Sequence, residues 1–216
     1  MRHEPGAMTY VHLFRPATDP TAATLVLLHG TGGDEHDLLP LADLLAPGAA
    51  VLSPRGNVLE RGMPRFFRRL AEGVFDVEDV VRRSDELSAF VRDEAGRRGV
   101  DPARLWAVGF SNGANIAAAV LLRHPGVFAG GVLLAPMVPI VPERLPDLGG
   151  TAVFLGAGRQ DHIAPPAQPE ALADLFRRSG ADVTLDWHPG GHQLVPSTVH
   201  AARAWLAARL AGPGDA

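Results

Sequence analysis

The sequence predicts an α/β fold in which helices cover both faces of a mostly parallel sheet. Short apolar runs rich in Val and Leu recur along the chain, as is typical of parallel strands buried on both faces. Longer segments with helical spacing separate these runs, so strand and helix alternate from Thr24 onward, which favours one sheet with right-handed crossovers. The expected strands cover residues 24–28, 50–52, 105–108, 131–134, 153–155 and 183–187.

Three segments between or after the expected strands have the pattern of amphipathic helices. In the longest, apolar residues repeat at three- and four-residue steps from Val77 to Val91, and Gly99 ends the segment. The segment after Pro166 and residues 195–210 show the same one-sided spacing of apolar side chains. We therefore expect both of these segments to pack on the sheet.

Composition restricts the class of protein. A chain of 216 residues with 46% hydrophobic content predicts one domain spanning residues 1–216. Its net charge of -4, without a basic stripe, gives no reason to expect nucleic-acid binding. No cysteine is present, which excludes disulfides, thiolate metal sites and a cysteine nucleophile. No apolar run is long enough for a membrane span and no secretion signal is evident, so we expect a cytoplasmic protein without stable membrane insertion.

A G-x-S-x-G pattern centred on Ser111 is the strongest local signal for chemistry. It follows the expected strand 105–108 directly and precedes the Ala-rich segment 114–122. A nucleophile elbow requires this order of strand, sharp turn and helix, and Gly109 and Gly113 avoid side-chain clashes on either side of the serine. The alternative is a glycine-bounded turn with a serine near the start of a helix.

A serine hydroxyl needs a base, and the base needs a partner that fixes its tautomer. Asp161 follows the expected strand 153–155, and His192 follows the strand 183–187 after two glycines. Loops at the carboxyl ends of parallel strands meet at one edge of the sheet, where open α/β folds place their sites. The competing residues are Asp147, Asp174 and Asp182 for the acid, and His188 and His200 for the base.

Two backbone N–H groups are expected to hold the oxyanion of a tetrahedral intermediate. One belongs to Asn112, the residue after the nucleophile, and the second to Thr31 in the glycine-rich loop 29–34. The alternative for this loop is a turn that only caps the following helix. The spacing of its histidine and acidic residues matches no familiar metal site, so no metal is expected.

The segment 61–75 has neither helical nor strand periodicity. Two interpretations are open: its aromatic side chains line an acyl or aryl pocket while its arginines attract an anionic group, or the aromatics enter the core and the arginines remain solvated. The candidate substrate-binding residues are Met63, Phe66, Phe67, Arg68 and Arg69, with Arg65 beside them.

These motifs together resemble the phospholipase/carboxylesterase family of α/β hydrolases, which includes the acyl-protein thioesterases. The similarity is greatest to a bacterial esterase branch associated with hydroquinone and quinone resistance, and it covers nearly the whole chain. The residues that carry it are His29 to Glu35, Ser53 to Asn57, Pro64 to Arg69, Gly109 to Asn115, Asp161, Gly191 and His192.

The resemblance implies a triad of Ser111, Asp161 and His192, with Thr31 and Asn112 at the oxyanion. Thioesterase members usually carry Gln at the second of these oxyanion positions and Leu at the first, so protein depalmitoylation is not implied. It also implies an α/β-hydrolase fold with helices on both faces of the sheet, and the chain length leaves little room for a large cap domain.

We therefore expect a serine hydrolase that cleaves small-molecule carboxylic esters, or thioesters, of small or medium acyl groups through an acyl-enzyme on Ser111. No cofactor is expected. Two alternatives remain open: a non-catalytic ligand-binding protein on the same scaffold, and a peptidase or amidase that uses the same triad. The sequence does not identify the natural acyl and leaving groups, and it is compatible with a homodimer.

Overall fold

The computed structural model describes residues 10–19 and 22–211. Its strands are β1 (His12–Arg15), β2 (Thr24–Leu28), β3 (Ala50–Pro54), β4 (Val58–Glu60), β5 (Met63–Arg65), β6 (Arg69–Ala71), β7 (Val74–Phe75), β8 (Leu105–Phe110), β9 (Gly130–Leu134), β10 (Ala152–Gly158) and β11 (Asp182–His188). Its helices are α1 (Leu39–Leu45), α2 (Val77–Arg98), α3 (Asn112–Arg123), α4 (Ala167–Arg178) and α5 (Pro196–Leu210), with a short 3-10 helix at Pro102–Arg104.

Seven strands form the central sheet in the order β1-β3-β2-β8-β9-β10-β11. All neighbouring pairs are parallel except β1 and β3, which are antiparallel. Each of the six expected strands is present. The sequence did not indicate β1, because its four residues are all half-buried and show no alternation of apolar and polar side chains.

Helices cover both faces of the sheet, as the sequence predicts. Along β2, Val26 and Leu28 face one hydrophobic cluster, and Leu25 and Leu27 face a second one. Side chains of α2, α3 and α4 complete the first cluster, and side chains of α1 and α5 complete the second. Because successive strand residues point to opposite faces, each buried strand contributes to both layers of the core.

The sequence explains where helix α2 begins and ends, and why helix α3 can lie close to the sheet. In α2, the Asp76 side chain accepts a hydrogen bond from the Asp79 N–H at 3.1 Å, and Gly99 ends the helix with φ 66°. In α3, residues 112–122 are all buried, and its alanines let the helix lie close to the sheet. Among the described residues, no helix is long and apolar enough to cross a membrane.

Residues 58–75 form two small hairpins outside the central sheet, β4 with β5 and β6 with β7. Each strand has only two or three residues, which is too short for a recognisable strand period. Between the hairpins, Phe66 and Phe67 are fully buried in the same cluster as α2 and α3. The hairpins are thereby attached to the core beside the carboxyl ends of β2 and β8.

Candidate active site

Ser111 lies in the sharp turn between β8 and α3. Its backbone has φ 53° and ψ -116°, a conformation that L-amino acids rarely adopt and that raises the free energy of the folded state. The N–H of Ser111 donates to the carbonyl of Leu134 at the end of β9, at 2.9 Å. The neighbouring strand therefore holds the strained turn in place.

Glycines on both sides of Ser111 are required by close backbone contacts. A Cβ at Gly113 would lie 1.8 Å from the carbonyl oxygen of Leu28, at the end of β2. A Cβ at Gly109 would lie 2.6 Å from the backbone nitrogen of Ala114. Both distances are far below any real Cβ contact, so the G-x-S-x-G spacing follows from steric exclusion.

Ser111, His192 and Asp161 form a continuous chain of hydrogen bonds. The Nε2 of His192 lies 2.9 Å from the Ser111 Oγ, and its Nδ1 lies 2.7 Å from the Asp161 Oδ2. The other oxygen, Oδ1, accepts the N–H groups of Ile163 and Ala164, both at 2.8 Å. An ionised carboxylate only accepts, so Nδ1 carries the proton and Nε2 is free to accept the serine proton.

The loop that carries His192 is tied to the end of β10 by backbone hydrogen bonds. Gln160 N–H donates to the Gly190 carbonyl at 3.0 Å. A Cβ at Gly158, the last residue of β10, would lie 2.4 Å from the carbonyl oxygen of Gly191. The ring of Phe110 packs against that of His192, with centroids 5.4 Å apart. Glycines and one aromatic contact thus fix the imidazole above the serine.

The competing residues lie elsewhere. His188 is buried at the end of β11, where its Nδ1 accepts the Gly190 N–H, and His200 is exposed on α5. Among the acids, Asp174 is exposed on α4, and Asp182 is at the amino end of β11, away from the carboxyl edge. Asp147 is exposed in the loop after β9.

Thr31 and Asn112 lie beside Ser111 in one small cleft of about 40 Å³. Asn112 is the first residue of α3, so its N–H has no acceptor within the helix. Within the described part of the chain, no backbone carbonyl accepts the N–H of Thr31. The Thr31 hydroxyl accepts a hydrogen bond from the Arg65 Nη1 at 2.6 Å. This arrangement offers two free backbone donors next to the serine.

The loop before Thr31 is fastened by a histidine whose role the sequence did not indicate. His29 is fully buried; its Nε2 accepts the Gly56 N–H at 2.9 Å, and its Nδ1 lies 2.6 Å from the Gly30 carbonyl. Burial lowers the pKa of His29 below its usual value, because the charged form loses solvation. The neutral ring therefore links the glycine-rich loop to the segment after β3.

Comparison with known families finds that the model of the phospholipase/carboxylesterase family matches residues 13–210. The chain belongs to this family. A Bacillus subtilis relative named as the hydrolase MhqD is 46% identical over 90% of this chain and 96% of its own length. Membership makes the chain an esterase-type hydrolase and confirms the α/β-hydrolase fold; the described ranges 10–19 and 22–211 contain no large cap domain.

Two solved structures extend the similarity. The Bacillus cereus carboxylesterase superposes with a TM-score of 0.91 at 46% identity, covering 94% of this chain and 95% of that one. YahD, solved with malic acid, superposes with a TM-score of 0.87 at 32% identity, covering 93% of this chain and 99% of YahD.

In this phospholipase/carboxylesterase member, the phenylalanines of the segment 61–75 follow the second of the two interpretations that the sequence leaves open. Phe66 and Phe67 lie in the core, because their apolar rings pack against α2 and α3. Arg68 points away from the cleft and pairs with Asp76 at 2.7 Å. Met63 packs over Gly32 outside the cleft. Of the five candidate substrate-binding residues, only Arg69 lines the cleft.

The sequence analysis assigned no role to the side chains of two cleft residues, Asn112 and Asn115. The Oδ1 of Asn112 accepts the Phe66 N–H at 2.7 Å, and the Oδ1 of Asn115 accepts the Met137 N–H at 2.7 Å. Both asparagines lie on the first turns of α3 and bind backbone distant in sequence. Their occurrence within the motif shared with the family was the only available signal.

Proposed function

We propose that this chain is a serine esterase that forms an acyl-enzyme on Ser111, and that carboxylic esters are its substrates. The observation that carries the proposal is the hydrogen-bonded chain of Ser111, His192 and Asp161, with separations of 2.9 and 2.7 Å. This is the geometry that nucleophile, base and orienting acid require. The Bacillus cereus relative of similar structure is named a carboxylesterase, which supports the ester as the substrate class.

In the first half of the proposed reaction, the Ser111 Oγ attacks the ester carbonyl while His192 Nε2 takes its proton. The carbonyl oxygen becomes an oxyanion, which accepts hydrogen bonds from the N–H groups of Thr31 and Asn112. The C–O bond to the leaving group then breaks, and the imidazolium of His192 protonates the departing oxygen. The buried carboxylate of Asp161 stabilises the imidazolium throughout.

In the second half, water replaces the leaving alcohol. His192 Nε2 removes a proton from the water, the hydroxide attacks the acyl carbonyl, and the same two N–H groups hold the second oxyanion. The bond to Ser111 breaks, and the serine oxygen regains its proton from His192. A thioester would follow the same steps with a thiol as the leaving group. The small size of the cleft, about 40 Å³, supports short acyl groups.

A fluorophosphonate probe tests the nucleophile directly, because it reacts covalently with activated serines only. We expect the wild-type protein to be labelled at Ser111 and to hydrolyse 4-nitrophenyl acetate. Ser111→Ala is expected to lose labelling and to lower kcat/KM by about 10³-fold or more, since removal of a triad member leaves only binding and oxyanion contributions. Ser197, exposed near the start of α5, supplies a matched control: Ser197→Ala retains both activities.

The outcomes separate the proposed function from its alternatives. Labelling of the wild type and Ser197→Ala, but not of Ser111→Ala, supports the esterase. Failure of the wild type to react with the probe and with every ester would overturn the proposal in favour of a non-catalytic scaffold. Turnover of anilides at rates equal to those of matched esters would assign the site to amide cleavage instead.

A further inference from the structure

A buried arginine lines the cleft beside the oxyanion position. Arg65, the last residue of β5, is only 3% exposed. Its Nη1 donates to the Thr31 hydroxyl at 2.6 Å, and its Nε donates to the Phe67 carbonyl at 3.1 Å. Among the described residues, no hydrogen-bond acceptor contacts its remaining nitrogen, Nη2. The guanidinium is thus rigidly held, with donor capacity unused.

A second arginine adds charge to the same wall. Arg69 also lines the cleft, and its Nε and Nη2 donate to the carboxylate of Glu60 at 2.8 to 3.1 Å. The Nε of Arg65 lies 3.3 Å from the same carboxylate. One carboxylate therefore serves two guanidinium groups. The described residues that line the cleft include both arginines and no Asp or Glu, although the carboxylates of Glu60 and Asp161 contact lining residues.

An unpaired asparagine amide is buried close to the same wall. The Nδ2 of Asn112 is buried and has no hydrogen-bond partner in the described structure, although the residue lines the cleft. The orientation of this amide is fixed, because its Oδ1 accepts the Phe66 N–H at 2.7 Å. Leaving a buried donor unpaired, and burying a guanidinium with a shared counter-ion, both raise the free energy of the folded state.

We propose that Arg65 and Arg69 form a subsite for a carboxylate, and that the preferred substrates are small esters carrying one. A carboxylate is planar, accepts two parallel N–H donors from a guanidinium, and would supply a second counter-ion to two guanidinium groups that share Glu60. The inference rests on the proposed esterase function and assigns its substrate class. It also separates the roles of the arginines in the segment 61–75: Arg65 and Arg69 bind substrate, whereas Arg68 does not.

Two matched substrate pairs test the subsite and locate the carboxylate. The first pair, 4-acetoxybenzoate and 4-acetoxybenzamide, differs in charge on the leaving group. The second pair, mono-4-nitrophenyl adipate and 4-nitrophenyl hexanoate, differs in charge on the acyl group. In the wild type we expect kcat/KM for one anionic ester to exceed that of its neutral partner by about tenfold or more, the effect of a charge-assisted hydrogen-bond pair.

Substitutions on the second hairpin provide the decisive comparison. Arg69→Gln is expected to remove the anionic preference by raising KM for the anionic ester alone, and Arg69→Lys to retain part of it. Arg68→Gln is the matched control, because this neighbouring side chain is exposed and pairs outside the cleft. We expect this variant to have the wild-type kcat/KM for both the anionic and the neutral ester.

Equal kcat/KM for charged and neutral esters in the wild type would overturn the subsite. So would an Arg69→Gln effect that is the same on both members of each pair, since that would indicate a structural role. In either case fluorophosphonate labelling of Ser111 and hydrolysis of the neutral esters persist, so the esterase proposal would survive. If instead no ester were hydrolysed and no labelling occurred, the proposed function itself would fail.

Discussion

The turn at Ser111 and the hairpin segment 58–75 border the same cleft, but different forces hold them. Backbone atoms lie against both glycines of the turn, and a Cβ at Gly113 would collide with the carbonyl of Leu28 at 1.8 Å. The hairpin segment has backbone contacts too, but it also receives hydrogen bonds from side chains of two helices. Asp79 of α2 accepts the Arg68 N–H at 2.7 Å, and Asn112 of α3 accepts the Phe66 N–H at 2.7 Å.

The difference indicates how each region should respond to substitution. Steric exclusion by backbone cannot be relieved without moving a strand of the sheet, so the turn should tolerate no added atom. A hydrogen bond from a helix to a hairpin can be removed with the hairpin relaxing locally, at the cost of one buried unpaired group. Substitutions in the turn should therefore cause larger losses of stability than substitutions in the hairpins.

The largest expected effect comes from Gly113→Ala. The new methyl group would displace either the end of β2 or the start of α3, and we expect the free energy of unfolding to fall by about 3 kcal/mol or more, as for severe overpacking. Fluorophosphonate labelling of Ser111 should be lost even in the fraction that folds. Thermal unfolding and labelling measure the two effects.

Gly96→Ala in α2 is the matched control for that substitution. No atom lies within 4 Å of a Cβ built at Gly96, and the residue is exposed on the helix. Replacing an unhindered helical glycine by alanine stabilises by about 0.5–1 kcal/mol, so this variant should melt at a higher temperature. If both glycine variants unfolded alike, steric exclusion would not explain the turn.

A smaller effect is expected from Asp79→Ala, which removes the attachment of the second hairpin. The variant leaves the Arg68 N–H without its acceptor and Arg82 without its carboxylate partner, so we expect a loss of about 1–3 kcal/mol in unfolding free energy. Labelling of Ser111 by a small fluorophosphonate should persist, because the turn is held independently. Denaturant unfolding and the labelling rate test both expectations.

Asp174→Ala is the control for the hairpin variant. Asp174 is exposed on α4 and lies 3.6 Å from Arg178, a surface pair whose loss changes stability by about 0–1 kcal/mol. A loss of Ser111 labelling in Asp79→Ala, at a temperature where the variant remains folded, would contradict the separation of the two regions.

The smallest expected effect concerns pH and His29, which links the glycine-rich loop to Gly56. Burial lowers the pKa of His29 below its ordinary value of 6.5, so below about pH 6.5 the unfolded chain binds a proton that the folded protein does not. The free energy of unfolding is therefore unaffected by this histidine above about pH 6.5. It decreases as the pH falls from 6.5 towards the lower pKa of the folded protein. The slope it adds is at most about 1.4 kcal/mol per pH unit.

His29→Gln removes this titration, so we expect a flatter dependence of unfolding free energy on pH between 5 and 7. The variant should also be less stable at neutral pH, since its amide replaces the ring imperfectly. His200→Gln, on the exposed face of α5, is expected to leave the slope unchanged. Identical slopes for wild type and His29→Gln would show that the ring can protonate without cost.

The parts of the molecule that could be predicted from the sequence are those with local causes. The two glycines around Ser111 indicate a sharp turn because their spacing is itself the steric requirement. The loops of Asp161 and His192 could be assigned to one edge because parallel strands align their carboxyl ends. The structure brings these three side chains together, and their catalytic roles remain our proposal.

The hairpin segment could not be predicted in the same way. The ring of Phe66 lies in the core and its backbone N–H donates to Asn112, 46 positions away; no local pattern indicates partners so distant in sequence. An aromatic residue beside arginines is equally compatible with a pocket wall and with a core anchor. Its burial against α2 and α3 was decided by tertiary packing, which also turned Arg68 outward.

Asn112 belongs to both regions. Its backbone follows Ser111 in the turn, and its side-chain amide accepts a hydrogen bond from the hairpin segment. A change in the position of the hairpins therefore affects the catalytic site, because the Phe66 N–H is hydrogen-bonded to Asn112, the first residue of α3. Because position 66 contributes only a backbone N–H to this bond, any residue except proline can supply the donor, whereas position 112 needs a side chain that accepts. A foreign hairpin grafted onto this scaffold should therefore keep the bond if it places a backbone N–H at the same point.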